Sequence, residues 1–318
     1  MADLAAALTY GKHGVDDGGL REDVIDIMFQ ITPEATPLYN AIGDSQANGT
    51  RHQWTTRALD PRATNKVQEG AVWGTYNTAK IGTRRTNYTQ IFQKLPQVSR
   101  SAQSSAVVAI SDLMADQIEM RMTEAKGDME LALINGTGTS ATADSATARG
   151  LNGIKLASTA DHGGSNYFTY GSTGSFSETM FTDLLEQVWT DGANPMDCIS
   201  GAKIKRKIGQ FTGGATKNFL SADKRVISIV NIIETDFGVV TAQISRDVSS
   251  TADGPPFYDV IVFDRNMLKK AWLDSPFVQD IPGIGDSRQA AVMAEMTLEF
   301  GHADAIGVLN KVNFHGVT

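Results

Sequence analysis

Cysteine is almost missing from this sequence: Cys198 is the only one in 318 residues. An intrachain disulfide framework and a four-cysteine zinc site are excluded. Five scattered histidines make a histidine-rich metal centre an equally poor fit. No apolar run approaches the ~18 residues of a membrane span. The opening MADLAAALTYGKHGVDDGG lacks the basic start and the ~7–15-residue apolar stretch of a secretory signal. The expectation is folding in a reducing, cytosol-like compartment. Nine prolines against thirty glycines imply many turns but no low-complexity regime. Basic residues are outnumbered 28 to 36, so the net charge of -8 argues against nucleic-acid binding by the surface as a whole. What remains is an ordinary globular composition, 41% apolar and 20% charged, long enough for about two domains of ~150 residues.

Catalytic signatures are missing too. There is no phosphate-binding G-x-x-x-x-G-K-[ST] loop, no G-x-G-x-x-G after a strand and no H-E-x-x-H. Ser221 and Lys224 match S-x-x-K without the S-D-N and K-T-G elements that give that pattern meaning. Cys198 reads as a small hydrophobe in a buried strand. His162, beside Asp161 on a polar loop, reads as solvent-facing.

The charges that are present are unevenly placed. Gln46–Ala106 holds Arg51, Arg57, Arg62, Lys66, Lys80, Arg84, Arg85, Lys94 and Arg100 against Asp60 and Glu69, a balance of +7. The rest of the chain carries -15. Within the basic segment Thr, Gln, Asn and Arg alternate with isolated Trp54, Val67, Val72, Trp73, Tyr76, Ile81, Tyr88, Ile91 and Phe92, which predicts strands with Gly and Asn turns. The reading is a long two-stranded excursion, out through Trp54 and back through Gln90. An isolated hairpin is marginal in water, so it needs a surface to lie on. A solvated loop, an arm on an acidic neighbouring subunit and an aromatic-basic single-strand nucleic-acid binder are the three readings. The last is weakened by the negative charge elsewhere.

Downstream, Met114, Ile118, Met122, Ala125, Met129 and Ala132 recur at helical spacing and predict a core-facing stripe on a helix over Asp112–Ile134. Ser111 is its expected N-cap, Asn135-Gly136 its stop, and Gly127 the mark of a bend or close crossing. Its charge is -4, six acids against Arg121 and Lys126. Leu20–Gln30 predicts a short helix. After a Gly/Ser/Thr-rich stretch (135–175), Ser175 and Glu178 at capping-box spacing open another helix. MDCIS reads as a strand, SGAKIKRKIGQF as a basic helix, and strands follow about Asp236-Phe237-Gly238, at Val260–Phe263, at AWLD, and as a pair around Gly301. The fold class is α+β.

This order of parts resembles the major capsid protein of tailed bacteriophages, the Hong Kong ninety-seven fold. The resemblance rests on the short helix (Leu20–Gln30), the basic Thr-rich β-loop (Gln46–Gln97), the long helix ending in ALINGTGT, the linker into RGLNGI, and the segments YDVIVFDRNMLKKAWLD and MAEMTLEFGHADAIGVLNKV. It implies an N-terminal arm with a short helix (1–45), an extended β-loop (46–100), a peripheral domain (101–150 plus 286–318) and an axial domain (151–285). It implies no enzyme activity and no cofactor. The partners are many copies of the chain itself in pentamers and hexamers, with portal, scaffold and decoration proteins, non-specific contact with packaged DNA and no membrane. The location is the virion capsid, assembled in the host cytoplasm. Some members of the family cross-link a lysine to an asparagine. Lys80 and Lys94 lie in the loop, but no partner side is matched. Arg51, Arg57, Arg62, Lys66, Lys80, Arg84 and Arg85 on the arm, with Glu119, Glu124 and Asp128 on the acidic helix, are the candidate intersubunit residues. An encapsulated-nanocompartment shell protein is the near alternative, and an α/β hydrolase with a spatially assembled site is the alternative of a different class.

Overall fold

The structure is a computed structural model that describes residues 35–60, 62–72, 74, 76–105, 110–139, 147–170, 176–211, 232–248, 257–282 and 285–313. The helix read at Leu20–Gln30 and Ser221–Lys224 lie outside these residues. The first part of the chain holds α1 (Pro37–Ala41), β1 (Gly43–Gln46), β2 (Arg51–Thr56), β3 (Thr83–Tyr88), β4 (Gln90–Lys94), β5 (Gln97–Ser99), α2 (Arg100–Ser104) and α3 (Leu113–Asn135). There follow β6 (Thr137–Thr139), β7 (Gly150–Asn152), α4 (Ile154–Ala157), β8 (Tyr167–Thr169), α5 (Glu178–Thr190), β9 (Asp197–Ser200) and α6 (Ala202–Phe211). The chain ends with β10 (Ile232–Thr235), β11 (Gly238–Ile244), β12 (Phe257–Phe263), β13 (Leu268–Ile281), β14 (Ser287–Phe300) and β15 (Ile306–Asn313).

Helix α3 forms where its periodicity predicts, one residue later at each end. Its N-cap is Asp112, not Ser111: the carboxylate accepts from the Met114 and Ala115 N–H groups at 3.0 and 3.2 Å. A carboxylate caps as well as a hydroxyl does and also complements the positive helix end. A hydrogen bond from the Gln103 side chain, with those two backbone bonds, holds the Asp112 carboxyl below its ordinary range. The buried seam is Met114, Ala125, Met129, Leu133 and Ile134, while Met122 is 42% exposed. The predicted stripe therefore drifts off the core in mid-helix. Gly127 marks no close crossing, because a Cβ there would meet nothing within 4 Å. Glu130 lies within the seam, fully buried, and its carboxylate accepts from the N–H groups of Leu38 (3.0 Å) and Tyr39 (2.6 Å). A buried carboxylate is tolerable only with such partners, and these dock α1 onto α3. Burial still pushes its pKa up, against the two amides and Lys126 and with help from Asp247.

Two sheets carry the body. One has the order β1-β13-β14-β4, with β5 also on β14, and is built on the long antiparallel β13–β14 pair. The other is mixed, β10-β11-β9-β12-β15-β8. The strands flanking Gly301 are thus not a pair. β14 stays in the first sheet and β15 crosses to the second, where it is antiparallel to β12. Alternation of side chains names a strand but not its neighbour, so the crossing is invisible to pattern reading. One core joins both sheets: Met129, Leu133 and Ile134 of α3 meet Met296, Leu298 and Phe300 of β14 and Ile261, Phe263, Ile306 and Val308 of the second sheet. Helices α5 and α6 cover the far face of the second sheet, burying Leu184, Leu185, Ile204 and Ile208 against Cys198, Val260 and Leu309. The N-cap of α5 is Ser177, whose hydroxyl accepts from Met180 N–H. Ser175 lies outside the described residues, and Glu178 is the first helical residue rather than the far member of a capping box.

The glycine-rich join after α3 has a steric cause. β6 and β7 pair antiparallel, and Gly153 N–H donates to the Gly136 carbonyl at 2.9 Å. A Cβ on Gly136 would sit 2.5 Å from the Leu151 carbonyl oxygen and 2.6 Å from that of Ala132. Gly138 has φ +66°, a conformation that glycine adopts at little cost. ALINGTGT and RGLNGI are the two sides of one close backbone contact.

Candidate functional site: the projecting loop and the acidic helix

The loop leaves the body on a short ribbon. β2 and β3 pair antiparallel from Arg51 opposite Tyr88 to Thr56 opposite Thr83. Asn87 ties the returning strand down. Its Nδ2 donates to the carbonyls of Leu298 (2.7 Å) and Asn152 (3.2 Å), and its Oδ1 accepts from Asn152 N–H (2.9 Å). One fully buried side chain thereby links the loop, the glycine join and β14. On the outgoing strand Trp54 stacks edge-on against Phe300, centroids 4.9 Å apart, and His52 Nε2 lies 3.3 Å from Glu299. Arg85 packs against the turn at Gly163, leaving no room for a Cβ there. The ribbon is part of its own subunit's body.

Beyond the ribbon the chain changes character. From 57 to 82 no strand is assigned among the described residues. Leu59, Val67, Val72, Tyr76 and Ile81 are each between 75% and 95% exposed. Arg57, Arg62 and Lys66 are exposed on this stretch, as are Arg51 and Arg84 on the ribbon. Lys80 pairs with Asp60 across the stem. Of the seven cations named as candidate intersubunit residues on the arm, Arg85 is the one half-buried within its own chain.

The acidic side is less free than its charge suggests. Glu119 is exposed. Asp128 pairs with Lys94 at 2.6 Å, and Glu124 pairs with Arg121 at 2.6 Å and lies 3.9 Å from Lys94. Arg121 holds the Glu124 carboxyl below its ordinary range. Two grooves flank α3. One, about 580 Å³, runs between α3 and β4 past Ile91, Asp128 and Leu131. The other, about 350 Å³, is lined by Tyr39, Met122, Met129, Pro276 and Met293. Ile91 and Leu131 are 52% and 49% exposed. Sequence reading missed Leu131, Asn87 and Glu130. Nothing in a helical or alternating pattern marks which polar side chain is buried.

Cys198 and His162, two of the residues weighed for chemistry, are packed within the subunit. Cys198 is buried in β9, and burial pushes its thiol pKa up to about 12. His162 is half-buried with its ring edge-on to Phe300 at 6.4 Å, not facing solvent as predicted. Burial lowers its pKa, with Asp161 opposing and Arg85 assisting. Among the described residues no three His, Cys, Asp or Glu side chains are placed to hold a metal. No described helix is long and apolar enough to cross a membrane.

The family model for the SU10 major capsid protein matches residues 6–313. The chain belongs to that family. It is a structural subunit of a bacteriophage capsid, and its α+β fold is that of the Hong Kong ninety-seven type, as the resemblance implied. No curated relative matches the chain. Among solved structures, the capsid of cyanophage A-1(L) superposes with a TM-score of 0.66 at 12% identity, covering 92% of this chain and 97% of that one. The capsid of an empty GTA particle gives 0.63 at 15% identity, over 93% and 97%. The SrpI encapsulin of Synechococcus elongatus PCC 7942 gives 0.59 at 11% identity, over 92% and 94%. Shell proteins of both kinds share the fold, and the family match favours the phage capsid over the nanocompartment.

Proposed function

We propose that copies of this chain close into pentamers and hexamers of an icosahedral shell around packaged DNA, each laying the distal part of its loop across a neighbour. The exposed apolar residues of the 57–82 stretch carry this reading. Fully burying a Val, Leu or Ile side chain contributes ~1.5–3 kcal/mol, whereas an exposed ion pair contributes ~0–1. Leu59, Val67, Val72, Tyr76 and Ile81 therefore supply the adhesion. Arg51, Arg57, Arg62, Lys66 and Arg84 supply orientation against an acidic surface that includes Glu119, Glu124 and Asp128. Lys94 and Arg121, which already hold Glu124 and Asp128, must share them with the incoming arm. Lys80 and Arg85 brace the loop from within.

In this reading the protein acts without catalysis or cofactor, assembles in the host cytoplasm, meets DNA without sequence readout, and takes portal, scaffold and decoration proteins as partners. In the same reading the subunit divides into arm (1–45), loop (46–100), peripheral (101–150 plus 286–318) and axial (151–285) parts. Sheet membership argues for grouping 306–313 with the axial part and Leu268–Ile281 with the peripheral part. Electron microscopy of the purified protein tests the assembly. Megadalton closed shells are expected, and a small oligomer under every assembly condition overturns it.

A further inference from the structure

Helices α5 and α6 lie side by side on the second sheet and share one hydrophobic cluster. α5 packs on β15 and β12, and α6 packs on β11, so in the strand order β11-β9-β12-β15 they occupy different halves of the sheet. Their outer surfaces have opposite charge. α5 contains Glu178, Asp183 and Glu186 and no base. α6 contains Lys203, Lys205, Arg206 and Lys207 and no acid. Lys205 is buried and donates to the Ala242 carbonyl, and Glu178 and Lys207 line one cleft between the two helices. That leaves Asp183 and Glu186 exposed on α5, and Lys203 and Arg206 exposed on α6. None of these four has an ion-pair partner among the described residues, although Lys203 sits 5.3 Å over the Tyr258 ring. At the next three-residue step along α5, Trp189 is 53% exposed, with its ring 5.9 Å from Phe237 in the β10–β11 turn. Tryptophan is among the residues most enriched at interface hot spots.

We infer that the Asp183–Glu186–Trp189 surface of one copy receives the Lys203–Arg206 face of the next copy, head to tail. Resting on the shell reading above, this names a second contact within each ring, separate from the loop. Donor and receptor are different surfaces on different halves of one sheet, which permits a head-to-tail contact, and a head-to-tail contact whose rotation closes gives a ring. Like charges placed across such a contact repel, so the pairing also rejects reversed subunits.

The test is a charge swap. Asp183→Lys with Glu186→Lys, and separately Lys203→Glu with Arg206→Glu, should each leave the thermal melt unchanged and lower shell yield by at least about tenfold. The chain carrying all four substitutions should recover shells. A second measurement uses Glu186→Cys with Arg206→Cys, clean because Cys198 is buried. Mild oxidation should give a ladder of covalent oligomers ending at five and six chains. Wild-type shells from either reversed variant overturn the inference, as does failure of the four-fold variant to recover. Full shells from the Lys203→Glu/Arg206→Glu protein with loss of bound DNA would assign the basic face to nucleic acid and likewise overturn it. A ladder stopping at two chains, or a disulfide within one chain, does the same. These failures leave the shell reading intact provided the wild type still forms shells; only absence of shells from the wild type removes both.

Discussion

Replacing Tyr76 and Ile81 together by alanine should leave the isolated subunit as stable as before and cripple its assembly. The two side chains are 81% and 95% exposed in the subunit, so their loss removes almost no packing, and surface substitutions of this kind stay within about 0.5 kcal/mol. Laid on a neighbour as proposed, each would bury most of its apolar surface. At about 25 cal/mol per Å², roughly 2 kcal/mol is forfeited per side chain. One factor of ten corresponds to 1.4 kcal/mol, so the pair raises the critical concentration for assembly by roughly a thousandfold. Light scattering against concentration measures that threshold, and calorimetry checks the subunit. An unchanged threshold refutes the adhesive role of the loop. A large fall in melting temperature refutes it differently, by showing that the tip packs on its own body.

Reversing Arg57, Arg62 and Lys66 to glutamate sets like charges against Glu119, Glu124 and Asp128, so assembly should be slower and shell yield lower at low salt, with partial recovery as salt screens the repulsion; stopped-flow scattering and final yield across a salt series read this, and equal loss at every salt concentration argues against it. Asn87→Ala strands the Asn152 N–H and the Leu298 carbonyl, so the subunit should lose about 1–3 kcal/mol per unsatisfied group in chemical denaturation. Glu130 has a pKa raised above 4.5 by burial. The folded state therefore binds its proton more tightly than the unfolded one, and the Glu130 contribution to stability falls as pH rises from 4.5 through the raised value, then levels off. Glu130→Gln should flatten that part of the stability-pH curve, and an identical curve for variant and wild type would dismiss the assignment.

Local and additive features are legible along the chain. The long helix follows from a 3.6-residue repeat and is displaced by one residue because Asp112 outcompetes Ser111 as cap. The basic excursion follows from composition, and the glycine join from residues that admit close backbone approach. The family resemblance was legible because those pieces come in a particular order. Tertiary structure alone decided the pairings. It sent β15 away from β14 into the second sheet, since an alternating strand carries no label for its partner. It buried Glu130 and Asn87, whose partners are backbone groups 91 or 92 and 65 or 211 residues away, and it turned Met122 outward. It also split the loop into an anchored ribbon and a free tip, and set an acidic and a basic helix side by side on one sheet. Each of these depends on which distant surfaces meet, and no periodicity along one segment encodes that.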